Sequence, residues 1–202
     1  MKITNIKQQQ KDKNRASFFI DGSYSFSLTI SQWQDSNLKI GDTISPQRID
    51  ELKKQSDYGK LYAKALDYLA RRKRSIKEMR DYLMRKDAAA EDSELIIRKL
   101  LDLKYLNDED FARSWVVDRN DFKPTSRRKL FFELKQKGIE GSVIERVLDE
   151  LNQESTSLKR IIISKRKQKR YQDDTKLIAY LCRNGFSYGD VKKALEDASS
   201  QE

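Results

Sequence analysis

The spacing of apolar positions changes character near residue 45. Before it the pattern is that of strands: Ala16-Ser17-Phe18-Phe19-Ile20 runs into Asp21-Gly22, then into Ser23-Tyr24-Ser25-Phe26-Ser27-Leu28. Asp-Gly supplies the positive φ angles of a tight two-residue turn, so the segment predicts a β-hairpin. In a regular ladder Phe19 faces Tyr24, and Phe26 and Leu28 share the side of Tyr24. A lone hairpin is marginal in water. Ile3-Thr4-Asn5-Ile6 is the expected third strand, and Leu38-Lys39-Ile40-Gly41-Asp42 a short strand or turn that closes the module.

From Pro46 onward the period is helical. Ser45-Pro46 places a cap before a proline at the first helical position. Ser75-Ile76-Lys77-Glu78 and Ser142-Val143-Ile144-Glu145 both fit the capping box. Asn107, Ser126, Asp173 or Asp174, and Ser187 are further caps, and Gly138 and Gly185 sit where a helix ends in a left-handed residue. These signals predict about nine helices after a short leader helix. The helices repeat. Leu83, Leu134 and Leu181 occupy equivalent places; Gly138 and Gly185 follow the second and third by four residues, and Leu148 and Leu195 by fourteen. In the first copy the match is Leu101, after an insertion around Ala88-Ala89-Ala90. A unit this small buries its apolar stripe only by stacking on neighbours.

The expected fold is therefore mainly α: three tandem three-helix repeats in an elongated curved array, preceded by a small β-hairpin module. The expected divisions are residues 1–45 for the strand module, 46–57 for a leader helix or linker, 58–106, 107–153 and 154–198 for the repeats, and 199–202 for a tail.

Charge narrows the function. Forty-two Lys and Arg against 32 Asp and Glu leave +10, distributed as +3 over residues 1–55, +4 over 56–106, −1 over 107–153 and +4 over 154–202. An anionic partner met by separated basic patches fits that distribution. Three clusters are the candidate contacts: Arg71-Arg72-Lys73-Arg74, ending the first helix of the first repeat; Arg127-Arg128-Lys129, opening the second helix of the second; and Lys165-Arg166-Lys167-Gln168-Lys169-Arg170, ending the first helix of the third. Arg183 joins them. Cations late in a helix also complement its dipole, so each cluster has a structural explanation as well.

Other features argue against catalysis. The chain has no histidine, which removes the usual general base and the commonest metal ligand. None of its 7 glycines makes a phosphate-cradling loop. Trp33, Trp115, Tyr180 and Tyr188 read as core residues, Cys182 as a small core filler, and Asp108-Glu109-Asp110 as first-turn charges rather than metal ligands. The single cysteine, the lack of a membrane-length apolar run and an N-terminus without signal-peptide character lead us to expect a cytoplasmic protein.

Several ordered motifs resemble the RecX family. They are Ala65-Leu66, Leu69, Arg72, Arg74-Ser75, Glu78-Met79 and Leu83; then Tyr105-Leu106-Asn107-Asp108, Phe111-Ala112, Leu130, Glu133-Leu134 and Lys137-Gly138-Ile139; then Tyr180-Leu181, Arg183, Gly185-Phe186-Ser187-Tyr188, Val191 and Leu195. The match runs from about 58 to 197, and the N-terminal strands resemble an extension found in some members. Asp87 and Lys104 depart from it, standing where the family usually has glycine, and Pro124-Thr125-Ser126 replaces another glycine-containing turn. The resemblance implies a non-enzymatic modulator of the RecA recombinase; a monomer without a cofactor is the accompanying expectation. Such a protein binds the RecA filament on single-stranded DNA, where it can lie in the helical groove, and lowers its ATPase, strand-exchange and coprotease activities; capping of filament ends and groove binding are both open on the sequence. Direct contact with DNA would be weak. The alternative is a helix-turn-helix-like protein acting on duplex DNA through helix 126–137 or 174–184.

Overall fold

The computed structural model describes residues 1–151 and 153–199; apart from Ser199, the expected tail lies outside them. The chain packs as two units, one of residues 1–72 and 80–98, the other of residues 73–79 and 99 onward.

The first unit begins with an antiparallel sheet in the order β1-β2-β3, formed by β1 (Ile3–Gln8), β2 (Arg15–Ile20) and β3 (Ser23–Thr29). The β2–β3 turn is the expected one, with φ of 47° at Asp21 and 86° at Gly22. The predicted facing of the strands needs correction. Phe18 pairs with Phe26, and the next residue, Phe19, pairs with Tyr24, so β3 carries one extra residue between them. This bulge turns Tyr24 to the face opposite Phe26 and Leu28. Phe26 and Leu28 are buried, whereas Tyr24 is exposed and meets Phe19 edge-on at 6.1 Å.

A short helix, α1 (Ile30–Ser36), follows β3 with no predicted counterpart. Its signal was Thr29 with Gln32, which form a reciprocal capping box. The α1 helix lays Trp33 edge-on against Phe18, and the Trp33 indole N–H donates to the Leu38 carbonyl at 2.8 Å. The segment 38–42 is a turn, tied down where the Ile3 N–H donates to the Asp42 carbonyl.

The second helix, α2 (Pro46–Ala70), is continuous, so the leader segment and the first helix of the first repeat share one axis. Its Ile49 and Leu52 complete the core of the sheet. The buried Arg15 guanidinium donates to the Ser27 carbonyl and hydroxyl and to the Ser56 hydroxyl of α2, at 2.9, 3.0 and 3.3 Å. Among the described residues, neutral acceptors compensate this burial.

The remaining helices are α3 (Ile76–Met84), α4 (Ala90–Asp102), α5 (Asp108–Phe122), α6 (Arg127–Gln136), α7 (Gly141–Leu151), α8 (Glu154–Arg166), α9 (Asp174–Arg183) and α10 (Tyr188–Ser199). Leu83, Leu134 and Leu181 are fully buried, as their recurrence requires. The counterpart of Leu148 and Leu195 in α4 is not Leu101, which is exposed, but the fully buried Leu100.

Asn107, Ser126, Asp173 and Ser187 accept backbone N–H groups as caps. Ser142 does not. Ile139 is buried immediately after Gly138, so α7 starts by Gly141; Ser142 lies inside its first turn and donates to the Glu140 carboxylate. Tyr188 is exposed at the first position of α10, not in the core. No described helix is long and apolar enough to cross a membrane.

Candidate functional site

Within the second unit, two junctions repeat the same set of contacts. At the first, the Ser75 hydroxyl caps α3 by accepting the Glu78 N–H, and donates to the Lys137 carbonyl at the end of α6 at 2.7 Å. The next N–H, that of Ile76, donates to the Asp108 carboxylate at the start of α5 at 2.8 Å. At the second junction, the Ser126 hydroxyl caps α6 and donates to the Asn184 carbonyl at the end of α9, again at 2.7 Å. The Arg127 N–H donates to the Glu154 carboxylate at the start of α8, at 3.0 Å. Each clasp thus uses a helix cap to bind the following repeat.

The glycines that end α6 and α9 are part of the clasp. Gly138 and Gly185 have φ of 83° and 92°. A Cβ at Gly138 would lie 2.7 Å from the Lys77 Cβ, and one at Gly185 would lie 2.6 Å from the Ser126 hydroxyl. Asp87 holds the equivalent place at the end of α3 with φ of 56° and is exposed. Exposed as it is, that position carries the strain of a left-handed residue without a buried contact. Lys104 takes the same conformation after α4, with φ of 58°.

The three basic clusters divide by what their charges meet. The α2 helix ends before the first cluster: Arg71 is its C-cap, and Arg71, Arg72 and Lys73 are exposed while Arg74 is half-buried in the turn to α3. In the second cluster Arg127 forms ion pairs with Glu145 and, at 2.7 Å, with Asp149. Arg128 sits 5.9 Å from the centre of the exposed Phe132 ring, and Lys129 is exposed. The third cluster extends beyond its helix, since α8 stops at Arg166 and residues Lys169–Tyr171 form a 3-10 turn that drops Tyr171 into the core. Arg166 closes this turn through the Gln172 carbonyl and the Asp174 carboxylate. Lys165 lies 4.9 Å from the Tyr180 ring and 5.6 Å from the Tyr171 ring. Lys167, Lys169, Arg170 and Arg183 are exposed.

The second junction holds a partly open cavity of about 260 Å³, and the fold brings Lys129 of the second cluster and Lys165 of the third to its wall. Lys123 and Arg160, which sequence reasoning missed, join them. The Arg160 guanidinium is fixed by the carbonyls of Asn120 and Asp121. No lining residue is acidic, and none of the four cations has a carboxylate partner among the described residues. Such an arrangement attracts anions.

Two helix N-termini are poorly suited to read duplex DNA. That of α6 is engaged in the clasp, and that of α9 carries Asp173 and Asp174.

These features define a helical-repeat protein: three-helix units preceded by a small sheet module. Comparison with known proteins gives the family. The chain matches the N-terminal domain of regulatory protein RecX over residues 1–45, the first RecX three-helix domain over 62–100 and the second over 107–148. It is 33% identical to regulatory protein RecX of Listeria monocytogenes serotype 4a (strain HCC23), across the whole chain and 77% of that relative. It is 31% identical to the same-named protein of Bacillus pumilus (strain SAFR-032), across 97% of the chain and 77% of the relative. A crystal structure of a regulatory protein RecX superimposes with a TM-score of 0.76 at 24% identity, covering 96% of this chain and 98% of that one. That of RecX from Lactobacillus salivarius gives 0.61 at 26%, covering 70% and 96%. The chain belongs to the RecX family of regulatory proteins.

Proposed function

We propose that this chain is a non-catalytic regulator that binds the RecA filament on single-stranded DNA and lowers its ATPase, strand-exchange and coprotease activities, acting as a cytoplasmic monomer. The observation that carries the reading is family membership over the whole chain, with relatives named as regulatory proteins. Charge supports it: a filament wrapped around DNA presents acidic protein and phosphate, and the exposed cations Arg128, Lys129, Lys167, Lys169, Arg170 and Arg183 meet both. Arg127 and Arg166 contribute by holding helix ends in place rather than by direct contact.

The test is the single-stranded-DNA-dependent ATPase of RecA, titrated with this protein at substoichiometric ratios. Inhibition well below one-to-one that persists when single-stranded DNA is in excess is the expected result. Absence of inhibition, or inhibition relieved by excess DNA, would reject the filament as the target.

A further inference from the structure

The two junctions share a backbone plan, so the first shows what normally fills the space that is hollow at the second. Glu78 and Lys129 are each the third residue after their clasp serine; Trp115 and Ile161 are each the seventh after the clasp carboxylate. Arg119 matches Lys165 by the same count. Glu133 and Tyr180 each precede the buried leucine of their helix, and Lys137 and Asn184 each follow it by three.

At the first junction these side chains fill and neutralise the space. The Trp115 indole meets two cations, the Arg119 guanidinium 4.5 Å from the ring centre and the Lys137 ammonium at 5.2 Å. The Glu133 carboxylate accepts from the indole N–H at 2.9 Å and from Arg119 at 2.8 Å, and Glu78 pairs with Lys137 at 2.6 Å. One planar nitrogen-containing ring and two negative charges thus satisfy the cations.

At the second junction the ring is replaced by the smaller Ile161, and the two carboxylates by Lys129 and Tyr180. Of the two cations, Arg119 remains as Lys165 and Lys137 gives way to Asn184, while Lys129, Lys123 and Arg160 add positive charge at the cavity wall. Pro124, Ile161 and Phe186 give the cavity an apolar wall. What is missing, relative to the first junction, is a flat ring and about two negative charges.

From this difference we infer that the cavity at the second junction binds a nucleotide, its base against the apolar wall and its phosphate among Lys123, Lys129, Arg160 and Lys165. A terminal phosphate group carries close to two negative charges at neutral pH and offers three acceptor oxygens, so one group meets several cations at once. At about 260 Å³ and partly open to solvent, the cavity has room for one nucleotide. The nucleotide has two possible sources, a free nucleoside phosphate or one residue of a single strand.

The experiment is calorimetric titration of the full chain with 5′-dTMP, with no recombinase present, so that failure here leaves the filament reading untouched. We expect saturable one-to-one binding, with thymidine at least tenfold weaker. Lys129→Glu restores the first junction's carboxylate and Ile161→Trp restores its ring; each should weaken dTMP at least tenfold while circular dichroism stays unchanged. Lys167→Gln with Lys169→Gln should change it less than twofold. Competition by a thymidine tetranucleotide that outbinds dTMP would identify a strand as the source, and the reverse order a free nucleotide; either supports the site. Failure of dTMP to bind, equal loss in the Lys167/Lys169 variant, inorganic phosphate binding as tightly as dTMP, or preference for an acidic peptide would each overturn it.

Discussion

The two clasps use the same hydrogen bonds but differ in electrostatics. At Ser75 the surrounding side chains close on themselves, with Trp115 packed against two cations whose carboxylates are supplied by Glu78 and Glu133. At Ser126 the backbone contacts recur, yet the acids are absent and a cavity stands open. The difference separates what the repeat needs in order to stack from what an individual position is free to change. Serine, carboxylate and glycine satisfy backbone groups that would otherwise be buried without partners, and they recur. The side chains around them answer only to local charge and space, and they diverge.

The comparison breaks most severely at the glycines. Gly185→Ala and Gly138→Ala should each cost about 2–3 kcal/mol, combining left-handed strain with a collision against Ser126 or Lys77. Asp87→Gly should instead stabilise the protein, by about 0.5–1 kcal/mol, since it relieves strain where nothing presses. Urea unfolding measures all three, and an Asp87→Gly variant as damaged as the others would refute the clasp as the reason for glycine.

Ser75→Ala and Ser126→Ala should each cost about 1–2 kcal/mol, through a lost cap and an unpaired carbonyl. The two values should agree closely if the clasps are equivalent; a large gap would show that one of them carries the stacking alone.

Smaller effects sharpen the electrostatic contrast. Glu133→Gln should destabilise the first junction by about 1 kcal/mol by leaving Arg119 without its carboxylate, whereas Lys129→Glu should raise stability by about 0.5 kcal/mol by placing an acid among unpaired cations. Equal destabilisation by both would mean that the second junction is not short of negative charge.

The smallest effect is in acid. A hydrogen bond from Arg113, aided by Arg146, holds the Glu109 carboxyl below the usual carboxylate range. A depressed folded-state pKa gives stability that is present above the unfolded value of about 4.3 and is lost as pH falls through the folded one. The midpoint of unfolding should therefore decline less steeply below that pH in Glu109→Gln. Because Glu109 is accessible to solvent, 1 M salt should shrink the effect in the parent protein.

Much of the fold was legible because it rests on local rules. The Asp21-Gly22 hairpin, the caps at Ser45, Asn107, Ser126, Asp173 and Ser187, and the left-handed ends at Gly138 and Gly185 each depend on a few adjacent residues. The misreadings came where neighbours intervene. One extra residue in β3 turned Tyr24 away from Phe26, and burial of Ile139 moved the start of α7 ahead of Ser142. Of the candidate contacts, charge runs were visible but their partners were not, so Arg127 and Arg166 looked the same as Lys129 and Lys165.

The sequence by itself determined the elements, their repetition and the uneven positive charge, since periodicity, caps and glycines act within a turn or two of chain. Only the tertiary structure decided which cations are satisfied and which surround a cavity. The clasps join residues 62 and 58 positions apart, and Lys123 meets Arg160 and Lys165 across a junction between repeats. Coulomb attraction depends on distance in space, and no local pattern records which distant carboxylate arrives beside a given lysine.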